Sequence, residues 1–156
     1  MEPTNWLTHD EHRLWRSYLD ATRMLIQDLD KQLVRDSGIS FADYEILVLL
    51  SEAEDRRLRM RELSDASTTT RSGITRAITR MEAAGWVERV ECESDKRGAW
   101  AALTDKGAAT LADAGPGHVA AVRATMFDVL SPDDITVMAD VFTAMRDHMQ
   151  LHRRTG

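Results

Sequence analysis

Thr70 to Gly107, TRSGITRAITRMEAAGWVERVECESDKRGAWAALTDKG, joins an arginine-rich helical pattern to two β-rich segments separated by the charged tip Glu93-Ser94-Asp95-Lys96-Arg97-Gly98. From Arg71 to Gly85 the apolar residues Ile74, Ile78 and Met81 recur at i, i+4 and i+7, one stripe of a 3.6-residue helix. Ser72, Thr75, Arg76, Thr79 and Arg80 share the opposite side, with no carboxylate before Glu82. Such a face suits base edges and phosphates, which offer hydrogen-bond acceptors and, in the phosphates, negative charge. A merely solvated helix would show the same amphipathicity, so the flanking segments matter.

Charge is unevenly placed. The 156 residues carry a formal net charge of −6, yet residues 56–106 hold 11 of the 20 Lys+Arg and 8 of the 26 Asp+Glu. That segment is +3 and the remaining 105 residues are −9. Basic charge gathered at one place on an acidic chain is the footprint of a nucleic-acid surface. The 43% hydrophobic content is enough for one compact domain, or for a small domain with an added dimerisation layer. The start Met1-Glu2-Pro3-Thr4-Asn5 lacks a signal-peptide pattern, and the longest aliphatic run, Ile46 to Leu50, is too short to cross a bilayer. A soluble, cytoplasmic chain with no membrane partner is expected. The lone Cys92 excludes an internal disulfide and a multi-cysteine zinc site, and reads as a small apolar strand residue.

Thr8-His9-Asp10-Glu11 has capping-box spacing and opens a long helix to about Asp36, with Leu14, Trp15, Leu25, Leu29 and Leu33 among its apolar positions and Gly38 as a stop. Ser40 opens a second helix to about Ala53, and Glu54 to Arg59 reads as a polar connection. Met60 to Ser67 is a short helix anchored by Leu63; the hydroxyl cluster Ser67-Thr68-Thr69-Thr70 then interrupts helicity and caps the arginine helix. Trp86 to Cys92 and Ala99 to Leu103 pair as strands. Thr104-Asp105 starts another helix, broken or kinked at Gly115-Pro116-Gly117. Ser131-Pro132-Asp133-Asp134 starts the last, striped by Ile135, Met138, Val141, Phe142, Met145 and Met149. The fold class is mainly α with a small two-stranded β wing, a winged helix-turn-helix.

These residues resemble the MarR family of winged-helix transcription regulators over nearly the whole chain. Ile74-Thr75-Arg76, Arg80-Met81-Glu82 and Gly85-Trp86-Val87-Glu88-Arg89 look like its recognition helix and first wing strand; Asp95-Lys96-Arg97, Leu103-Thr104 and Gly107 look like its wing signature. The resemblance implies that Arg97 enters the minor groove, steadied by Asp95. It also implies an obligate homodimer, with residues 1–39 and 108–156 as dimerisation helices around a DNA-binding lobe at 40–107. A symmetric dimer would bind double-stranded DNA at an inverted repeat with half-sites ~10 bp apart.

The expected contacts are Arg71, Ser72, Thr75, Arg76, Thr79 and Arg80 on the recognition helix, Ser67, Thr68, Thr69 and Thr70 at the turn, and Asp95, Lys96 and Arg97 on the wing. The family's usual response to a small aromatic or anionic effector suggests Trp15, His118 and Arg123 as aromatic wall, hydrogen-bond partner and cation; the plainer alternative makes Trp15 core and Arg123 a surface charge. His148 with His152, and His9 with His12, have metal-sharing spacing, but nothing completes a ligand set. No metal or cofactor is expected. Hydrolase, P-loop and dinucleotide motifs are missing, so an enzyme is not expected. The reading is a ligand-responsive DNA-binding repressor; the alternative is a helical module whose arginine face meets an acidic protein. A basic hairpin directly after an arginine helix favours DNA.

Overall fold

The computed structural model describes residues 3–67, 70–91 and 99–155. Helix α1 (His9–Ser37) opens on the expected reciprocal cap: Thr8 N donates to Glu11 Oε2 at 2.7 Å, and Glu11 N to Thr8 Oγ1 at 3.3 Å. Gly38, at φ +69°, ends it in the left-handed conformation. Ser40 caps α2 (Phe41–Glu52) by accepting from Asp43 N at 3.1 Å. Asp30 of α1 accepts from Phe41 N at 2.8 Å, which places a carboxylate at the positive end of α2.

The segment 54–59 is more than the polar connection expected. After a 3-10 turn at Glu54–Arg56, Arg57–Arg59 form a strand, β1, ahead of α3 (Met60–Ala66) and α4 (Arg71–Ala84). With β2 (Val87–Glu91) and β3 (Ala99–Leu103) it makes a three-stranded antiparallel sheet in the order β1-β3-β2. The alternation Arg57-Leu58-Arg59 explains it: Leu58 lies opposite the buried Ala101 while both arginines take the other face.

Helix α5 (Asp105–Thr125) runs on through Pro116, so of the break or kink expected at Gly115-Pro116-Gly117 the break does not occur. Proline removes one backbone donor, but packing compensates on either side. Ala114 is buried in the core, and a Cβ on Gly117 would stand 3.3 Å from Gln32 Nε2, so the glycine lets α5 lie close to α1. The chain divides into two compact units, Met1–Val119 and Ala120–Gly156. In the first, Leu47 and Leu50, Leu63, Ile74, Ile78 and Met81, and Val87 with Ala101 form one core that seats α4 on α2, α3 and the sheet. Each fully buried aliphatic contributes roughly 1.5–3 kcal/mol. Leu33, Ile39, Tyr44 and Ala114 form a second cluster where α1, α2 and α5 meet. The second unit contains α6 (Pro132–Thr155), begun by Ser131, whose Oγ accepts from Asp134 N at 3.2 Å. Its residues Ile135, Val141, Phe142, Met145 and Met149 are exposed.

Candidate nucleic-acid interface

The α4 stripe is the predicted one: Ile74, Ile78 and Met81 are buried, joined by Ala77. Thr70 caps the helix, its Oγ1 accepting from Gly73 N at 3.2 Å and lying 3.2 Å from Ser72 Oγ. Gly85 ends it at φ +77°. Arg71, Ser72, Thr75, Arg76, Thr79 and Arg80 form its exposed face.

The hydroxyls on this face have defined polarity. Thr75 Oγ1 donates to Arg71 O at 3.1 Å and Thr79 Oγ1 to Thr75 O at 3.0 Å, which commits their protons to the helix. Toward solvent, Thr75 therefore offers lone pairs and a methyl group, suited to amino groups of bases or a thymine methyl. Arg76 makes a single 3.4 Å contact from Nε to Ser72 O, leaving its terminal nitrogens without hydrogen bond or ion pair among the described residues. They are available for a planar acceptor pair such as guanine presents.

Arg80, exposed like the rest of this face, also has a partner within the fold. Its Nε and terminal nitrogen bind Asp43 Oδ2 at 3.1 Å and Oδ1 at 2.5 Å, and the hydrogen bond to Asp43 raises its pKa. Asp43 is only 4% exposed, so this fork holds α4 on α2. Arg89 of β2, absent from the expected contacts, reaches over α4 instead: it donates to Thr79 Oγ1 at 2.9 Å and Thr75 O at 3.3 Å, and pairs with Glu82 at 3.2 Å. Its backbone N also donates to Glu82 Oε1 at 3.2 Å. The first wing strand is thus latched to the recognition helix. Opposite charges at Glu82 and Arg89, flanking the Gly85 stop, are the sequence signal for this latch.

On the outer sheet face, the guanidiniums of Arg57 and Arg59 lie 5.3 and 5.1 Å from the centre of the Trp100 ring. Ser67 ends α3, its N donating to Leu63 O at 3.0 Å. Thr68 and Thr69, and the wing residues Cys92, Asp95, Lys96 and Arg97, lie outside the described residues. Of the effector trio, Trp15 stacks on Tyr18 at 6.4 Å between ring centres, whereas His118 packs on Tyr44 at 4.4 Å. His118 Nδ1 is buried without a hydrogen-bond partner among the described residues, and burial lowers the pKa of the ring. Arg123 belongs to the second unit. The described residues contain no cluster of three or more His, Cys, Asp or Glu able to hold a metal ion, and no helix long and apolar enough to cross a membrane.

Residues 37–98 match the model of the MarR family. Over nearly its full length the chain is similar to Sco3205 of Streptomyces coelicolor, a MarR family transcriptional regulator solved in complex with DNA. The two are 42% identical, covering 96% of this chain and 94% of that one, with a TM-score of 0.89. The chain belongs to the MarR family. AbsC of the same organism, also a MarR family transcriptional regulator, is 41% identical over 94% of this chain and 99% of its own, with a TM-score of 0.86. The repressor YetL of Bacillus subtilis is 36% identical over 89 residues, 57% of this chain. That match spans 53% of YetL, about half the relative's length. MarR family transcription regulators are non-enzymatic DNA-binding proteins.

Proposed function

We propose that this MarR protein is a sequence-specific transcriptional repressor that binds an inverted-repeat operator as a homodimer and is released by a small molecule. The observation that carries the reading is the α4 face from Thr70 to Thr79, where hydroxyl acceptors alternate with the open guanidinium of Arg76. Arg76 and Thr75 would read bases, Arg71, Ser72 and the Ser67–Thr70 turn would meet phosphates, and Lys96 with Arg97 would add wing contacts. Likeness to a regulator solved on DNA and to a named repressor supports it. Homodimerisation is supported by apolar residues left in water on α1 (Leu14, Trp15, Leu19, Ile26) and on α6. These helices, flanking the DNA-binding lobe, would be the dimerisation layer. An acidic protein partner has less support, since an arginine face alone would not require a latched wing. A protein acting on bacterial DNA works in the cytoplasm.

Fluorescence anisotropy on short duplexes tests the division of labour. Arg97→Ala should weaken every duplex alike, whereas Arg76→Ala should also flatten the preference among base sequences, by roughly 1–3 kcal/mol at the affected pair. Removing a cation that neutralises one phosphate should reduce the salt slope by about 0.9. Equal and uniform losses from both variants would contradict the assignment.

A further inference from the structure

A cavity of about 580 Å³ opens between α1, α2 and the end of α3, within the size range of small-molecule sites. Ile26, Phe41 and Leu49 make its apolar walls, and Ala66 with Ser67 forms the rim nearest the turn into α4. Gln27, Ala42 and two acids, Asp30 and Glu45, complete the lining, and no lysine, arginine or histidine is among the lining residues described. Asp30 uses one oxygen to cap α2, and its other oxygen has no hydrogen-bond partner among the described residues. Glu45 makes no hydrogen bond or ion pair among them.

We propose that this cavity binds a small organic cation with an aromatic or otherwise bulky apolar body, and that this cation is the effector of the regulator. Charge complementarity selects the occupant. Asp30 and Glu45 would repel the carboxylate of an aromatic acid and attract an ammonium or phosphonium, and an aromatic residue in the wall, Phe41, favours the same charge. Burial, and then the neighbouring Glu52, raise the pKa of Glu45, a strain on its ionised form that a bound cation relieves. The position supplies the coupling. An occupant would touch α1 and α2 on one side and the last residue of α3 on the other, so it would bind with different affinity as α3 shifts against them. The inference rests on the ligand-release reading above and replaces the anionic effector with a cationic one.

The test titrates the intact protein, by calorimetry in sodium buffer, with tetraphenylphosphonium and with tetraphenylborate, which has the same shape and the opposite charge. The phosphonium should bind and the borate should not, and Glu45→Gln and Asp30→Asn should each weaken the phosphonium about tenfold. Equal binding of both ions, or an affinity unchanged in both variants, overturns the site. So does the lack of any binding, the outcome if a helix of a second copy fills the cavity in the dimer. The borate comparison needs no variant, so it holds even if Asp30→Asn loosens the cap on α2. Operator release, followed by anisotropy, separates the two readings. Carboxylate-dependent binding with the operator retained keeps the site and defeats ligand release; release by salicylate without phosphonium binding does the reverse.

Discussion

Asp43 is a carboxylate with almost no access to water, and the Arg80 fork is its charged partner. Removing the arginine leaves a buried anion uncompensated, so Arg80→Ala should destabilise the fold by about 1–3 kcal/mol in chemical denaturation. Asp43→Asn in the same chain should restore part of that loss, because a neutral amide costs less to bury than an unpaired carboxylate. If Arg80→Ala instead keeps full stability and alters base preference, Arg80 reads DNA after all. His118 provides a second residue-scale prediction. Burial against Tyr44 and Phe41 holds its pKa below the ordinary 6.5, so the unfolded chain binds the proton more readily than the folded one. The stability tied to neutral His118 is present above pH 6.5 and drains away as the pH falls through that value. Thermal unfolding of His118→Phe should therefore lose less stability than the parent between about pH 7.5 and about pH 5. Parallel pH profiles for the two proteins would contradict this origin.

At the scale of elements, α4 is fixed at both ends and along one side. Its C-terminal carbonyls are taken up across the sheet: Lys106 Nζ donates to Ala84 O, and Thr104 Oγ1 to Gly85 O, both at 2.7 Å. Gly107 makes this junction possible, since a Cβ there would overlap the Trp86 carbonyl oxygen and stand 2.7 Å from Leu103 Cδ1. Gly107→Ala should thus cost about 1–3 kcal/mol of overpacking, read as a lowered Tm, whereas Gly115→Ala, with nothing within 4 Å of its Cβ, should not destabilise. These elements also show what a sequence makes legible. The caps at Thr8, Ser40, Thr70 and Ser131 and the stripe of α4 depend on spacings of three or four residues, so local chemistry declares them. Strand β1 stays hidden because three residues are too few for a period and its arginines look like a loop. The Arg80–Asp43 fork spans 37 positions, and no local pattern reports such a pair. The helix through Pro116 escapes a sequence reading because the breaker signal is local and the packing that overrides it is not.

For the whole molecule, basic charge concentrated in residues 56–106 of an acidic chain should orient the protein on a polyanion and limit its sticking elsewhere. The exposed stripe of α6 supports the proposed homodimer, because isolated apolar side chains are common on a surface but a helix-long row is not. Met145→Glu with Val141→Asp should convert a dimer to a monomer in analytical ultracentrifugation and reduce operator affinity with it, whereas an unchanged sedimentation coefficient would place the interface elsewhere. The most direct test of sequence-specific recognition by α4 is selection of bound sequences from random duplex DNA at physiological salt, run in parallel with the parent protein and Arg76→Ala. An inverted repeat enriched by the parent, with its preference relaxed at one position per half-site in the variant, is the predicted result. A folded parent that enriches no sequence, or a variant that enriches the identical motif, would contradict it.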